Sequence, residues 1–124
     1  MERLIAEASP RLSGRVRAWS GGLAEVEVAL VILVASWSGP AISRFRALVG
    51  HLAGAFGEAS PPLLVVDVDH VDPALLDALG RRSHGWGEIF WVKDGAVVDW
   101  LGKASAAEAE ALILRSTAAL LSSS

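Results

Sequence analysis

The sequence predicts an α/β domain in which helices flank a mixed central sheet of four or five strands. Two apolar runs rich in β-branched residues, at 26–35 and 63–69, are typical of strands that are buried on both faces. A helical pattern between them predicts a β-α-β crossover, which joins parallel strands. Asp94-Gly95 lies between two further β-rich runs and predicts a hairpin, so the sheet also contains antiparallel strands.

The helix after the first strand is predicted over residues 41–56. Its apolar residues follow the i, i+3, i+4, i+7 spacing of a helix that packs on a sheet, and Gly57 is a suitable stop. Arg44 and Arg46 take the opposite face of this helix. The apolar positions are Ile42, Phe45, Leu48, Val49, Leu52 and Phe56.

Two later helices carry start signals. Asp72 is an N-cap acceptor ahead of Pro73, which predicts a short helix that ends near Gly80. Ser105 and Glu108 form an S-x-x-E capping box ahead of an apolar-periodic segment. The second signal predicts a C-terminal helix that packs on the sheet.

The first 25 residues are harder to interpret. Leu4, Ile5 and Ala8 suggest a short helix, whereas R-V-R-A-W alternates like a strand, so their structure stays open. The length of 124 residues and the hydrophobic content of 52% predict one domain over 1–124, with its core in 26–121.

Composition excludes several classes of function. A net charge of -3 and scattered arginines give no basic patch, so we expect no nucleic-acid partner. The apolar runs are too short for a membrane span, and the N-terminus lacks the pattern of a signal peptide, so we expect a soluble, cytoplasmic protein. The three histidines show no metal-site spacing, and no cofactor or metal is expected.

The order of elements, with a W-x-G-P-x loop between the first buried strand and its helix, resembles the thioredoxin family. Four stretches match family motifs in order and at similar spacing across residues 26–121. They are Trp37-Ser38-Gly39-Pro40-Ala41 for W-C-G-P-C, Val66-Asp67-Val68-Asp69 for the V-x-I/V-D strand, Val92-Lys93-Asp94-Gly95 for the F-K-N/D-G hairpin, and Gly102 to Ser105 for G-x-x-S. The resemblance implies a thioredoxin-like three-layer fold.

The chain departs from the family where the chemistry is concentrated. Ser38 and Ala41 occupy the positions of the two active-site cysteines, and the chain has no cysteine elsewhere. Dithiol exchange requires a thiolate nucleophile, so we expect no oxidoreductase activity. Ile32, Gly87 and Arg46 occupy the positions of the family's buried aspartate, cis-proline and helix-kinking proline. Because these further positions also differ from the family, the sequence favours natural loss of the redox activity over engineered replacement of the two cysteines.

The resemblance also implies a binding surface. In the family an extended peptide lies between the W-x-G-P-x loop and the cis-proline loop, and it pairs with backbone there like a strand. We therefore expect a redox-inactive adaptor or chaperone-like module whose partner is a protein or extended peptide, as in cysteine-free relatives that serve as accessory factors, for example in hydrogenase maturation. The predicted binding residues are Trp37, Ser38, Gly39, Pro40, Trp86 and Gly87. Alternatively, the two tryptophans only pack the loops together.

A catalytic alternative assigns Ser38 as a nucleophile, His84 as its base and Glu88 as the group that orients the base. A serine at this position also suits a helix N-cap. A glutathione or other small-thiol site at the same loop is a second variant, which the replacement of the cis-proline by Gly87 weakens.

Two further groups of residues are a candidate metal site and a candidate interface: the acidic residues after the second apolar run, and the tryptophans of the hairpin. Asp67, Asp69 and Asp72 with His70 match no calcium-loop spacing, so we interpret them as solvated residues at a strand end. Trp91 and Trp100 lie on the two hairpin strands, where alternation does not decide which ring faces outward. One or both rings exposed on an outer strand would mark an interface with a second copy of the chain, as in a homo-oligomer, or with another partner, whereas rings buried under a helix would belong to the core.

Overall fold

The computed structural model describes residues 1–122 and shows an alternating α/β chain that closes with a hairpin and a helix. From the second strand onward the order is β-α-β-α-β-β-α, as the sequence predicts. The helices are α1 (Glu2–Ala8), α2 (Gly39–Phe56), α3 (Pro73–Ala78) and α4 (Ala106–Ser122); the strands are β1 (Val16–Ala18), β2 (Val28–Val34), β3 (Leu63–Asp67), β4 (Ile89–Lys93) and β5 (Ala96–Leu101).

The five strands form one mixed sheet in the order β1-β3-β2-β4-β5. Strand β3 runs parallel to both β1 and β2, whereas β4 is antiparallel to β2 and to β5. The first apolar run therefore forms the central strand of the sheet. Val31 lies opposite Leu64 on one side and Phe90 on the other.

Helices cover both faces of this sheet. Leu30, Ile32 and Val34 point into the core formed with α1, α2 and α4. The alternate residues of β2 point into a second core, beneath α3. Residues 29–34 are at most 2% exposed, which explains why the strand is apolar at every position.

The segment that the sequence left open contributes to both the sheet and the helical layer. Leu4 and Ala8 of α1 pack into the core beside α2, and a short 3₁₀ turn at Ser9–Leu12 follows. Strand β1 then pairs with β3 through a register that includes Val16 and Leu63. The sheet therefore contains one strand from outside residues 26–121.

The predicted turn and capping signals are confirmed. Asp94 and Gly95 have φ angles of 50° and 79°, as a tight hairpin turn requires. Ser105 Oγ accepts a hydrogen bond from Glu108 N–H at 3.1 Å, and Glu108 Oε1 accepts one from Ser105 N–H at 3.1 Å. The backbone hydrogen bond from Ser105 lowers the pKa of Glu108. Asp72 caps α3 by accepting from Ala74 N–H.

The two hairpin tryptophans have different environments. Trp91 is 0% exposed because it lies opposite Leu30, on the face that α4 covers, and its Nε1 donates to Thr117 Oγ1 at 3.0 Å. Of the two orientations that the sequence left open, the structure therefore shows the buried one for Trp91. Trp100 is 38% exposed and stacks on Phe90. Its backbone N–H donates to Asp99 Oδ1, so a donor that an incoming strand would use already has a partner.

No helix among residues 1–122 combines the length and the hydropathy that crossing a membrane requires.

The buried hydrogen bond between Trp91 and Thr117 generates a stability prediction. Thr117→Val preserves the shape of the side chain but leaves the buried indole N–H without an acceptor, so we expect a loss of about 1–3 kcal/mol in the free energy of unfolding. Urea denaturation measures this change. Thr117→Ser is the matched control because it keeps the hydroxyl group. A Thr117→Val variant as stable as the parent protein would contradict the assignment.

Candidate functional site

The candidate site lies at the end of the sheet where β2 and β3 finish and β4 begins. Residues 35–38 lead from β2 into α2, and residues 84–88 lead into β4. The two loops are in contact: Ser38 Oγ donates to the Gly85 carbonyl at 2.7 Å, and a methyl group added to Gly85 would lie 3.5 Å from the Trp37 ring. The structure therefore brings the two predicted loops together.

Ser38 joins the loops and also begins the helix. Its Oγ accepts a hydrogen bond from Ala41 N–H at 3.3 Å, which makes it the N-cap of α2, and Pro40 lies in the first turn. The hydroxyl proton points to Gly85, and the residue is 6% exposed. Both hydrogen bonds of this side chain are therefore made with backbone.

The alternative catalytic residues lie near one another without forming a proton relay. Glu88 Oε2 accepts a hydrogen bond from the backbone N–H of His84 at 2.9 Å, and not from the imidazole. Within residues 1–122, no hydrogen bond joins Ser38 to the His84 ring. Nucleophilic catalysis by serine requires a base within hydrogen-bond reach. Ser38, His84 and Glu88 thus share a location but lack that geometry.

Gly87 occupies the position that the resemblance assigns to a cis-proline, and it packs directly on α2. Its φ angle is 75°, and among residues 1–122 no peptide bond is cis. A Cβ atom at this position would lie 3.0 Å from Arg44 Cβ and 3.1 Å from Ala41 Cα. Only glycine satisfies both the left-handed backbone and the close approach of the helix.

Arg44 is a site residue that the sequence pattern missed. Periodicity places it on the face of α2 opposite the apolar stripe, together with Arg46, which is exposed and pairs with Glu7. Arg44 Nη1 instead donates to the carbonyls of Gly87 at 3.4 Å and Gly102 at 2.9 Å. Burial lowers the pKa of Arg44, and the nearby charge of Glu88 partly offsets this effect.

The two tryptophans of the site project from these loops. Trp37 is 69% exposed, and its Nε1 donates to Asp69 Oδ1 at 3.1 Å. Trp86 is 36% exposed, and Lys103 Nζ lies 4.9 Å from its ring centroid. Because most of the Trp37 side chain is in solvent, packing the loops together does not account for most of its surface.

A groove between α2 and α4 opens beside Trp86. Its volume is about 440 Å³, and small side chains of both helices form much of its lining. The groove is lined by Pro40, Ser43, Arg44, Ala47, His51, Trp86, Ala104, Ser105, Ala106, Ala109, Glu110 and Ile113.

The acidic residues after β3 form a hydrogen-bonded strand end. Asp67 Oδ1 accepts from Asp69 N–H at 3.0 Å, and Asp67 Oδ2 lies 3.1 Å from His70 Nδ1. Partial burial raises the pKa of Asp67, but the hydrogen bonds from Asp69 and His70 lower it by more, so the net shift is downward. Among the described residues, no group of three or more histidine, aspartate or glutamate side chains is arranged to hold a metal ion.

Comparison with solved structures shows that the chain has the thioredoxin fold. A mutant thioredoxin from Halobacterium salinarum NRC-1 superposes with a TM-score of 0.60 at 22% identity, over 87% of this chain and 93% of that one. A Schistosoma mansoni thioredoxin gives 0.57 at 18% identity, over 81% and 94%. The Malassezia sympodialis thioredoxin gives 0.56 at 19% identity, over 77% of each. The chain matches no protein-family profile and no curated protein sequence.

The sequence contains no cysteine, so this thioredoxin fold lacks the nucleophile of thiol-disulfide exchange.

The two contacts of Ser38 predict that its hydroxyl stabilises the site. Ser38→Ala removes both the helix cap and the hydrogen bond to Gly85, so we expect a loss of about 1–3 kcal/mol in the free energy of unfolding. Chemical denaturation measures the loss. Ser43→Ala, an exposed serine in the same helix, is the control and should change stability little. Equal stability of the two variants would contradict the bridging role.

Gly87 and Gly54 give a matched pair of glycine substitutions. Gly87→Ala forces a side chain into the left-handed region and against α2, so we expect a destabilisation of about 1–3 kcal/mol. Gly54 lies in α2, and no atom comes within 4 Å of the position that a Cβ atom would take there. Alanine at that position should stabilise the protein by roughly 0.5–1 kcal/mol. Thermal unfolding of both variants tests the pair, and a neutral Gly87→Ala would refute the close-packing argument.

Proposed function

We propose that this protein is a redox-inactive thioredoxin-like module that binds an extended segment of a partner protein, as an adaptor or chaperone-like subunit. The binding surface is formed jointly by residues 37–40 and residues 84–88, and we call it the loop cleft. The observation that carries the proposal is the exposure of Trp37 and Trp86 on two loops that are fixed to each other.

The exposed ring of Trp37 favours a binding role over a purely structural one. A tryptophan that only packed two loops together would bury most of its surface, because burial of apolar area contributes about 25 cal/mol per Å². Trp37 instead leaves 69% of its surface in solvent. Tryptophan is also among the residue types most enriched at the energetic centres of protein interfaces.

The backbone of the cleft supports binding of an extended chain. Within residues 1–122, the N–H and C=O groups of Trp86 make no hydrogen bond, whereas the neighbouring carbonyls of Gly85 and Gly87 accept from Ser38 and Arg44. A peptide strand could therefore pair with Trp86 without breaking an existing hydrogen bond.

The loop cleft is also preorganised. Hydrogen bonds from Ser38 and Arg44 attach the 84–88 loop to α2, and Trp37 is held by Asp69. A binding surface that is already ordered loses less conformational entropy when its partner binds. The proposal assigns no catalytic role to Ser38, because its proton is donated to Gly85.

Selection from a phage library of short random peptides tests the proposal directly. We expect peptides with apolar or aromatic residues to be enriched on the parent protein. Trp86→Ala or Trp37→Ala should raise the dissociation constant of the selected peptides by about tenfold or more, as measured by isothermal titration calorimetry.

Val98→Ala is the matched control, because Val98 is 58% exposed but lies on β5, outside the cleft. Failure to enrich any peptide, or equal affinity for the tryptophan variants and the control, would overturn the proposal.

Insulin reduction in the presence of dithiothreitol tests the redox inactivity. It should proceed at the uncatalysed rate, because the sequence contains no cysteine.

A further inference from the structure

Charged residues flank the two tryptophans along one end of the sheet. Strands β3, β2, β4 and β5 are consecutive neighbours, and their directions place the C-terminal ends of β2, β3 and β5 beside the N-terminal end of β4. The residues just beyond these ends are Asp69, Trp37, Trp86 and Lys103, in that spatial order. Topology therefore arranges an acid, two aromatic rings and a base in one row.

Side-chain contacts connect neighbours within this row. Asp69 Oδ1 lies 3.1 Å from Trp37 Nε1, and Lys103 Nζ lies 4.9 Å from the centroid of the Trp86 ring. The hydrogen bond from Ser38 Oγ to the Gly85 carbonyl joins the loops that carry the two halves of the row. Each charge is thus placed beside one aromatic ring of the loop cleft.

The two charges at the ends of the row are available to a partner. Asp69 and Lys103 are exposed, and within residues 1–122 neither forms a salt bridge. Asp67 and Asp72 add negative charge at the β3 end, where His70 pairs with Asp67. At the β5 end, Arg44 binds the Gly102 carbonyl and Arg82 lies over Trp100, so both add positive charge beside Lys103. Glu88 lies close enough to Arg44 to offset part of this charge, and Glu108 adds negative charge at the start of α4.

We propose that the loop cleft selects a bipolar segment: an extended chain with an apolar centre, a basic residue at the Asp69 end and an acidic residue at the Lys103 end. This inference rests on the proposed function and names the partner chemistry of the same cleft. Three inter-strand steps of about 4.8 Å separate β3 from β5, so the two charges should be about four residues apart in an extended chain.

A set of four synthetic peptides tests the charge requirement. All share one apolar centre; their two ends are lysine and glutamate, lysine at both ends, glutamate at both ends, or glutamine at both ends. We expect the lysine–glutamate peptide to bind about fivefold more tightly than either like-charged peptide at low ionic strength. The difference should shrink at high salt, because exposed charges are screened.

Variants of the row change this preference in a defined direction. Lys103→Glu makes both ends acidic, so the peptide with two lysines should become the tightest ligand. Asp69→Asn keeps an acceptor for Trp37 but removes the charge, so the preference for lysine at that end should disappear. Arg115→Glu makes the same charge change as Lys103→Glu on an exposed residue of α4, which lies beside Lys93 and Val98 and away from the loop cleft, and it should leave the preference unaltered.

The outcomes separate this inference from the function on which it rests. Equal binding of all four peptides, with loss in Trp86→Ala, would overturn the bipolar selection and leave the peptide-binding function standing. Binding of none of them would overturn the inference, and failure of the random library as well would overturn the function. Circular dichroism and urea unfolding of each variant distinguish a changed preference from a folding defect.

Discussion

Burial of residues 29–34 of strand β2 is the constraint on which the rest of this structure depends. The strand pairs with β3 on one edge and with β4 on the other, and both of its faces are covered. A strand of this kind requires a helical layer on each side of the sheet, which α2 and α3 provide among others. It also carries Trp37 and Ser38 directly to the end of the sheet, so the same burial that stabilises the fold positions the loop cleft.

Polar contacts with backbone hold the cleft in shape. Ser38 caps α2 and binds Gly85, while Arg44 reaches the carbonyls of Gly87 and Gly102. Each contact joins a side chain of the helix or its N-cap to backbone, and none of them requires a thiol. These contacts therefore hold the two loops together in a thioredoxin fold that contains no cysteine.

The loop cleft also contains a buried polar atom whose hydrogen-bonding capacity is unsatisfied, which lowers the stability of the fold. Glu88 is 1% exposed, and its Oε2 accepts from His84 N–H, whereas Oε1 has no hydrogen-bond partner within residues 1–122. An unsatisfied buried polar group costs about 1–3 kcal/mol. Residues 89–92 of β4, which follow directly, are apolar and buried.

From residue 26 onward, the sequence by itself determined the strands, the helices, their order and the caps of α3 and α4, because periodicity and capping are local properties that adjacent residues express together. It left α1 and β1 open, because the signals in the first 25 residues conflict. It also determined that no thiol chemistry occurs. Only the tertiary structure decided which partners the side chains have. Trp91 is buried against Thr117, the side chain of Arg44 donates to two carbonyls outside α2, and Ser38 donates to Gly85. These contacts join residues far apart in the chain, and their geometry depends on packing between elements, which no local pattern encodes.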